Sequence, residues 1–342
     1  MKYTDPVPLR KSTAWGTYQS DDYLPLVYGR VRATPLRYRS EDYRFLLADH
    51  AIQGVDAVTL RGAAYSAWTL SQETDTTGHP VAVLNVQHRA DPGDWAVTLR
   101  GKQHPDTGIL LDRPDQILAD LLGRFCGISK VNAERLDDLR TLGDLIGPVG
   151  GVISEPTSLQ STVDEICAGC GLAWGPTVSG LALLWPPTVP ALEPAYRIDD
   201  TLTPSLSAAT DEADLATLLR LDYARDWSTG DCSASLVAEA TDAMARLGMI
   251  EARLQATWLQ SHGAAEALSR RWLAWHASPR WTIQAALPHT QLGIGDYVGL
   301  THRLSPISGG WLTGLSMALA GDTVTIVGGP PSTTPVAISR AS

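Results

Sequence analysis

Residues 23–39, YLPLVYGRVRATPLRYR, carry the most specific local pattern in the chain. The first part is an apolar and aromatic run typical of a β-strand, and turn-forming residues follow it. Four arginines crowd into ten positions of this stretch, namely Arg30, Arg32, Arg37 and Arg39. Such a run is typical of an exposed strand edge, and it also suits a contact with an acidic partner chain. The sequence leaves both interpretations open.

Three more strand-like runs lie within the first hundred or so residues: RFLLADHAIQGVDAVTLRG (44–62), PVAVLNVQ (80–87) and DWAVTLRG (94–101). The hexapeptide AVTLRG occurs twice among them, at 57–62 and 96–101, and each copy predicts an apolar strand that ends in a turn. A duplicated β-hairpin unit explains the repeat, and so does coincidence between two similar strands.

Helical patterns follow. DRPDQILADLLGRFCGI (112–128) has apolar residues at helical spacing, and a second helix is predicted from a cap at Thr157 or Ser158 to a stop at Gly171. A β-hairpin is predicted over 172–187, with its turn around 175–180. GAAEALSRRWLAWHAS (263–278) predicts a further helix, packed on a small antiparallel sheet or barrel made of four strands: RWTIQAAL (280–287), DYVGLTHR (296–303), GWLTGLSMAL (310–319) and DTVTIVGG (322–329).

These patterns predict an α+β fold, mainly β, with several domains built from antiparallel β-barrels and a few packed helices. The predicted segments are an N-terminal β domain (1–105), a helix plus β-hairpin domain (106–187), a mixed connecting domain (188–262), a C-terminal helix plus small barrel (263–328) and a flexible tail (329–342).

Composition and charge exclude several functions. The net charge of −10 argues against a protein that grips nucleic acid by its phosphates. No window of ~18 apolar residues without charge occurs, so stable membrane insertion is not expected. We expect the chain to be made in the cytoplasm. Neither a Gly-rich phosphate loop nor a nucleophile elbow is present. His262 and Glu266 lie four positions apart, as metal ligands on a helix do, but His262 sits at a helix start where a polar cap is ordinary. We predict no catalytic residue.

Four cysteines remain as candidate metal ligands: Cys126, Cys167, Cys170 and Cys232. Four thiolates form a common ligand set for zinc and for iron–sulfur clusters. The alternative is packing, because Cys167 and Cys170 continue the apolar face of the second helix. An activated redox pair is disfavoured, since these two cysteines lie at the C-terminal end of that helix, where its dipole opposes a thiolate.

In order along the chain, three segments resemble the tail-tip and baseplate hub proteins of long-tailed bacteriophages, of the siphovirus type, and of gene-transfer agents. They are YLPLVYGRVRATPLR with the strand run after it, ISEPTSLQSTVDEICAGCGLAWGPTVSGLALLWP (153–186), and the closing segment with its GDYVGL turn and strand (295–300). The resemblance covers about the whole chain, and the order of the motifs is more specific than any one of them.

The resemblance implies a non-enzymatic virion protein of the tail tip or baseplate. Hub proteins of this kind form a trimeric ring of tube-like β-barrel domains that closes or extends the distal end of the tail tube. They adapt sixfold to threefold symmetry, and they line the channel through which DNA leaves during genome ejection. Implied partners are two further copies in a homotrimer, other tail-tip, distal-tail, tape-measure and fibre proteins, and passing DNA without specific binding. Some hubs carry a four-cysteine iron–sulfur cluster. The alternatives are a tail-associated cell-wall-degrading enzyme and a metal-cluster redox protein.

Overall fold

The computed structural model describes most of the 342-residue chain: residues 7, 9–11, 22–38, 43–75, 77–126, 147–177, 180–184, 196–199, 206–211, 215–278, 280–286, 297–301, 311–313, 316–320, 323–328 and 337–340. The described helices are α1 (Pro114–Cys126), α2 (Leu159–Cys170), α3 (Thr241–Leu247) and α4 (His262–His276), and a short 3-10 turn spans Pro92–Asp94. None of these helices has the length and apolar content needed to cross a membrane.

The strands outnumber the helices, which confirms the predicted mainly β fold. The first ten are β1 (Leu26–Tyr28), β2 (Arg30–Ala33), β3 (Leu36–Arg37), β4 (Arg44–Ala48), β5 (Ile52–Leu60), β6 (Ala63–Tyr65), β7 (Trp68–Thr74), β8 (Pro80–Val86), β9 (Trp95–Lys102) and β10 (Gly151–Ile153). The others are β11 (Ala173–Thr177), β12 (Gly180–Leu184), β13 (Tyr196–Asp199), β14 (Leu206–Asp211), β15 (Leu218–Arg225), β16 (Cys232–Glu239), β17 (Glu251–Ala256), β18 (Arg280–Ala286), β19 (Tyr297–Thr301), β20 (Trp311–Thr313), β21 (Ser316–Ala320), β22 (Thr323–Gly328) and β23 (Ala337–Arg340).

Two antiparallel sheets form the N-terminal part, in the strand orders β2-β9-β5-β6 and β3-β4-β8-β7. Alternate residues of β9 are buried, as expected for a strand with one face on a core. The core between the sheets includes Phe45, Leu84, Trp95, Val97 and Leu99, all almost fully buried. Phe45 and Tyr65 both pack their rings against Trp95. This shared apolar core holds the two sheets face to face.

The predicted closure into barrels is not seen in the described residues, where every sheet is open. The two N-terminal sheets nevertheless share both corners, because β2 leads into β3 through Thr34–Pro35 and β6 leads into β7 through Ser66–Ala67. Proline has no N–H to donate to a ladder, which accounts for the break at the first corner. The N-terminal part is therefore a sandwich with two chain-linked corners.

A second core lies beside the sandwich. Strands β1, β10, β15 and β16 and helices α1, α2 and α4 contribute to it, with side chains such as Tyr28, Ile117, Ile166, Leu221 and Leu268. Trp258 is fully buried there and meets Trp227 edge to face. Because Trp227 also packs against the sandwich core, this aromatic pair bridges the two cores.

Gly29 lies between β1 and β2, in an extended segment that separates the two cores. Leu26 and Tyr28 face the second core, whereas Val27 and Val31 face the sandwich core. Gly29 has a φ of 62°, its N–H donates to Leu111 O at 2.9 Å, and a Cβ placed on it would lie 2.0 Å from Val149 O. Only glycine fits this left-handed backbone and this close approach.

The repeated hexapeptide occupies two antiparallel neighbours in one sheet, with Ala57 opposite Thr98 and Leu60 opposite Trp95. The first copy ends in the predicted turn, at Arg61 and Gly62. The prediction is wrong for the second copy, since Gly101 continues β9 and donates its N–H to Gly29 O at 2.7 Å. The same short sequence thus ends in a turn in its first copy and continues as a strand in its second.

The middle of the chain matches its prediction closely. Ser158 caps α2 by accepting a hydrogen bond from Ser161 N at 3.0 Å, and Gly171 ends the helix in the left-handed conformation. The residues predicted to form the apolar face of this helix are all buried: Leu159, Val163, Ile166, Cys167 and Cys170. β11 and β12 then form the predicted antiparallel hairpin, in which Thr177 lies opposite Gly180. Gly175, predicted to lie in the turn, pairs with Ala182 within the strands instead.

The C-terminal strands differ from the single antiparallel sheet or barrel that was predicted. They divide between two sheets, β13-β19-β20 and β14-β18-β22-β21, and β13 pairs with β19 in parallel. Strands from the 196–211 region supply the missing partners. Helix α4 packs instead on β15 and β16. The predicted flexible tail does not hold for Ala337–Arg340, which pair with β16 as an edge strand.

His50 is buried beside the Gly29 junction. Its Nε2 accepts a hydrogen bond from Val27 N at 2.9 Å, so Nδ1 carries the proton and donates to Ala51 O at 2.9 Å. Burial lowers the pKa of His50 to about 4. The neutral ring is therefore part of the folded structure at physiological pH.

Gly29→Ala is expected to lower the free energy of unfolding by about 3 kcal/mol, since it combines left-handed strain with a backbone collision. Gly62→Ala is the matched control, because Gly62 also has a positive φ but no atom within 4 Å of the added Cβ. We expect that variant to lose only about 1 kcal/mol. Urea unfolding followed by tryptophan fluorescence measures both. Equal losses would contradict the role given to the Gly29 contact.

His50 is expected to make stability fall with acidification between pH 6.5 and 4. In that window the unfolded chain binds a proton that the folded chain does not, so His50 contributes a loss of about 1.4 kcal/mol per pH unit. His50→Gln retains an acceptor for Val27 N but does not titrate, and should remove about 2 kcal/mol of the difference between pH 7.5 and pH 5. Urea unfolding at the two pH values tests this. An unchanged difference in the variant would contradict it.

Candidate partner interface

A groove of about 620 Å³, lined by both charged and apolar residues, runs between the N-terminal sandwich and the end of β15. Its floor includes Val31 and Thr98 from β2 and β9, the two neighbouring strands of the sandwich. Its charged lining consists of four arginines and two aspartates: Arg30, Arg32, Arg100, Arg225, Asp112 and Asp226. The groove is therefore a basic feature on a protein of net charge −10.

Arg30 and Arg100 share one carboxylate, that of Asp56. Arg30 Nε lies 2.7 Å from Asp56 Oδ2, and Arg100 Nε lies 3.1 Å from Oδ1 at an angle that makes no hydrogen bond. Asp56 occupies a β-bulge in β5, where the register with β9 shifts between Val55 and Ala57. A bulge redirects the side chain of its extra residue. The sheet thereby holds two guanidinium groups together around a single negative charge.

Arg32 reaches across the groove to the β15–β16 loop. Its Nη1 lies 3.5 Å from Asp226 Oδ2, and its Nη2 donates to Thr59 Oγ1 at 3.3 Å. The other oxygen of Asp226 accepts hydrogen bonds from the backbone and hydroxyl of Ser228. Such a turn fixes the carboxylate before Arg32 meets it. Burial raises the pKa of Asp112, the second acidic residue of the groove.

Arg225 enters the groove from a strained backbone position. The preceding residue, Ala224, has a φ of 54°, which is unusual for a residue other than glycine. Its N–H donates to Leu259 O at 2.8 Å, and its carbonyl accepts from Ser233 Oγ at 2.7 Å. The Arg225 guanidinium lies 4.6 Å from the centre of the Trp227 ring, and its buried Nε makes no hydrogen bond within the described chain. Strain of this kind is often found where a side chain serves a function.

Two of the four arginines singled out in the sequence belong to the groove. Arg30 and Arg32 line the groove, whereas Arg37 on β3 pairs with Asp91 at 3.0 Å. Arg39 lies outside the described residues. Sequence reasoning missed Arg100 and Arg225, which come from β9 and β15. No local pattern marks either one, and only sheet pairing brings them beside β2.

Three of the four cysteines contact the second core. Cys167 and Cys170 are buried in the second core, Cys126 packs against its edge from the end of α1, and Cys232 begins β16 near Arg225. Burial raises the pKa of Cys170 to about 12 and that of Cys167 well above its usual value. Among the described residues, no group of three or more His, Cys, Asp or Glu is placed to hold a metal ion. The four-cysteine cluster stays a prediction of the resemblance.

His262 has a structural environment. Its Nδ1 lies 2.5 Å from the Tyr223 hydroxyl, and its Nε2 lies 3.3 Å from Glu266 Oε1. These contacts join the start of α4 to β15. His276 at the other end of α4 stacks on Trp272 instead of facing the pair.

No protein-family model and no curated protein matches the sequence. The fold is similar to solved phage tail proteins. One is the tail protein from Neisseria meningitidis MC58, at 12% identity and a TM-score of 0.41 over 88% of this chain and 96% of that one. Another is a prophage tail protein from Listeria monocytogenes EGD-e, at 12% identity and a TM-score of 0.38 over 90% and 95%. A third is the 43 kDa tail protein of prophage MuSo2 from Shewanella oneidensis, at 8% identity and a TM-score of 0.42 over 90% and 94%. At these TM-scores the likeness transfers no function.

Ala224→Gly is expected to raise the free energy of unfolding by up to about 1 kcal/mol. Glycine adopts a positive φ without the clash that alanine suffers, and this gain exceeds its larger entropy cost. Ala234→Gly on the paired strand is the control, and it should be destabilised by roughly 0.5–1 kcal/mol. Thermal and urea unfolding measure the difference. A loss of stability in Ala224→Gly would show that the position is not strained.

Proposed function

We propose that this chain is a structural, non-enzymatic hub component of a bacteriophage tail tip or baseplate. The observation that carries the proposal is the order of the three hub-like motifs and their placement on defined elements. The YGRV segment lies between the two cores and joins β1 to β2, and the second motif forms α2 with the hairpin β11–β12. The third motif contributes β19.

The packing supports a structural role, in which the chain holds neighbouring tail proteins in fixed positions. The backbone contacts of Gly29 and the Trp227–Trp258 contact fasten the sandwich to the second core. The charged side chains described above form ion pairs between elements, an arrangement that stabilises relative orientation. Open sheets also leave edge strands, which are the usual means by which β-proteins extend a sheet into a neighbouring chain.

In this proposal three copies form a ring at the distal end of the tail tube. Each copy supplies tube-like β domains, so that threefold and sixfold symmetry meet in the ring, and the ring lines the exit path of the DNA. The net charge of −10 suits that path, because an acidic wall does not retain a phosphate backbone. The expected neighbours are distal-tail, tape-measure and fibre proteins.

Electron microscopy of tail particles that contain this chain is expected to show three copies in one ring at the distal end of the tube. A tag on the chain, visualised by antibody, gives its position independently of the reconstruction. Six copies per ring, a single copy, or a position in the capsid would contradict the proposal. The purified chain should release no peptidoglycan fragments, and release would favour the cell-wall-degrading alternative.

A further inference from the structure

We propose that the groove lined by Arg30, Arg32, Arg100 and Arg225 binds an extended acidic segment of a neighbouring protein chain. The inference rests on the proposed role in an assembly, because it names the chemistry of one contact in that assembly. It keeps Arg30 and Arg32 from the interface predicted from the sequence and adds Arg100 and Arg225, so that the residues come from three strands.

The charge balance of the groove favours an anionic occupant. Four guanidinium groups and two carboxylates line it, and the Asp56 carboxylate that pairs with Arg30 and Arg100 is a third, so the positive charges still outnumber the negative ones. Burial raises the pKa of one of the lining carboxyls, Asp112. The guanidiniums of Arg30 and Arg100 divide one Asp56 carboxylate between them, so each retains donors for another acceptor. Guanidinium groups bind carboxylates in planar, two-pronged pairs.

Arg225 adds an independent observation. Its side chain lines the groove, its guanidinium lies 4.6 Å from the centre of the Trp227 ring, and its Nε makes no hydrogen bond within the described chain. Because the positive charge is delocalised over all three guanidinium nitrogens, an anion in the groove can pair with this side chain although its Nε is buried.

Protein carboxylates fit better than a nucleic-acid backbone. A phosphate backbone needs a long track of positive charge, whereas this groove is short and the chain around it is acidic. Asp112 and Asp226 interrupt the arginines and would oppose a continuous row of phosphates. A few spaced acidic side chains can pair with the arginines between those two carboxylates. The volume of about 620 Å³ is that of a site for a short peptide stretch.

The test is fluorescence anisotropy of a labelled ten-residue glutamate peptide with the full chain at low salt. We expect saturable binding, and Arg32→Gln/Arg225→Gln should weaken it at least tenfold, or about 1.4 kcal/mol. The matched control is Arg61→Gln/Arg220→Gln, which removes the same charge from exposed ion pairs outside the groove. That variant should bind within about twofold of wild type, since exposed pairs contribute little. Circular dichroism and thermal unfolding check that both variants fold, and Arg32→Gln alone serves if the double variant does not.

Three results would overturn the inference: no binding by the wild-type chain, equal weakening in both double variants, or tighter binding of a ten-nucleotide single-stranded DNA that the groove variant also abolishes. The last result would assign the groove to phosphates. Peptide binding is measured on the isolated chain, whereas the proposed function is tested by position in the particle. A chain found in the tail that binds no peptide would therefore disprove this inference alone.

Discussion

The backbone contact at Gly29 is the constraint on which the other packing depends. The segment from Leu26 to Val31 contributes Leu26 and Tyr28 to one core and Val27 and Val31 to the other, and Gly29 meets the carbonyl of Val149 in the middle of it. Gly101 donates to Gly29 O at the same place. These backbone contacts leave no room for a side chain at position 29. The orientation of the sandwich, and hence the shape of the arginine groove, follows from this contact.

The groove itself is lined by residues that are far apart in the sequence. Arg30 and Arg32 come from β2, which follows Gly29, and Arg100 comes from β9, its antiparallel partner. Arg225 comes from the end of β15 in the second core, next to the strained backbone of Ala224. Their positions are thus a product of the junction as much as of the arginines. A chain whose task is to bind neighbours gains from this arrangement, because any shift between the two cores would also change the binding surface.

Local signals were readable from the sequence, and long-range pairing was not. Ser158 and Gly171 marked both ends of α2 because capping depends on the residues next to the helix. Strand β16, with the sequence CSASLVAE, was missed because its small and polar residues lack an apolar alternation. The C-terminal sheets were predicted wrongly because β13 and β14, which complete them, carry no mark of their distant partners. For the same reason Arg30 and Arg32 were found, whereas Arg100 and Arg225 were not.

The pairing of β1 with β10 also sets an order of folding. Every strand of the sandwich lies between residues 30 and 102, so its sheets form from contacts that are close in sequence. Leu26 and Ile153 pair later, because they are far apart in the sequence and bringing them together costs chain entropy before any contact offsets it. The sandwich is therefore expected to form early, and β1 to pair with β10 late. Until then Leu26 and Tyr28 expose apolar surface, and a neighbouring chain with a free strand edge can compete with β10 for pairing with β1.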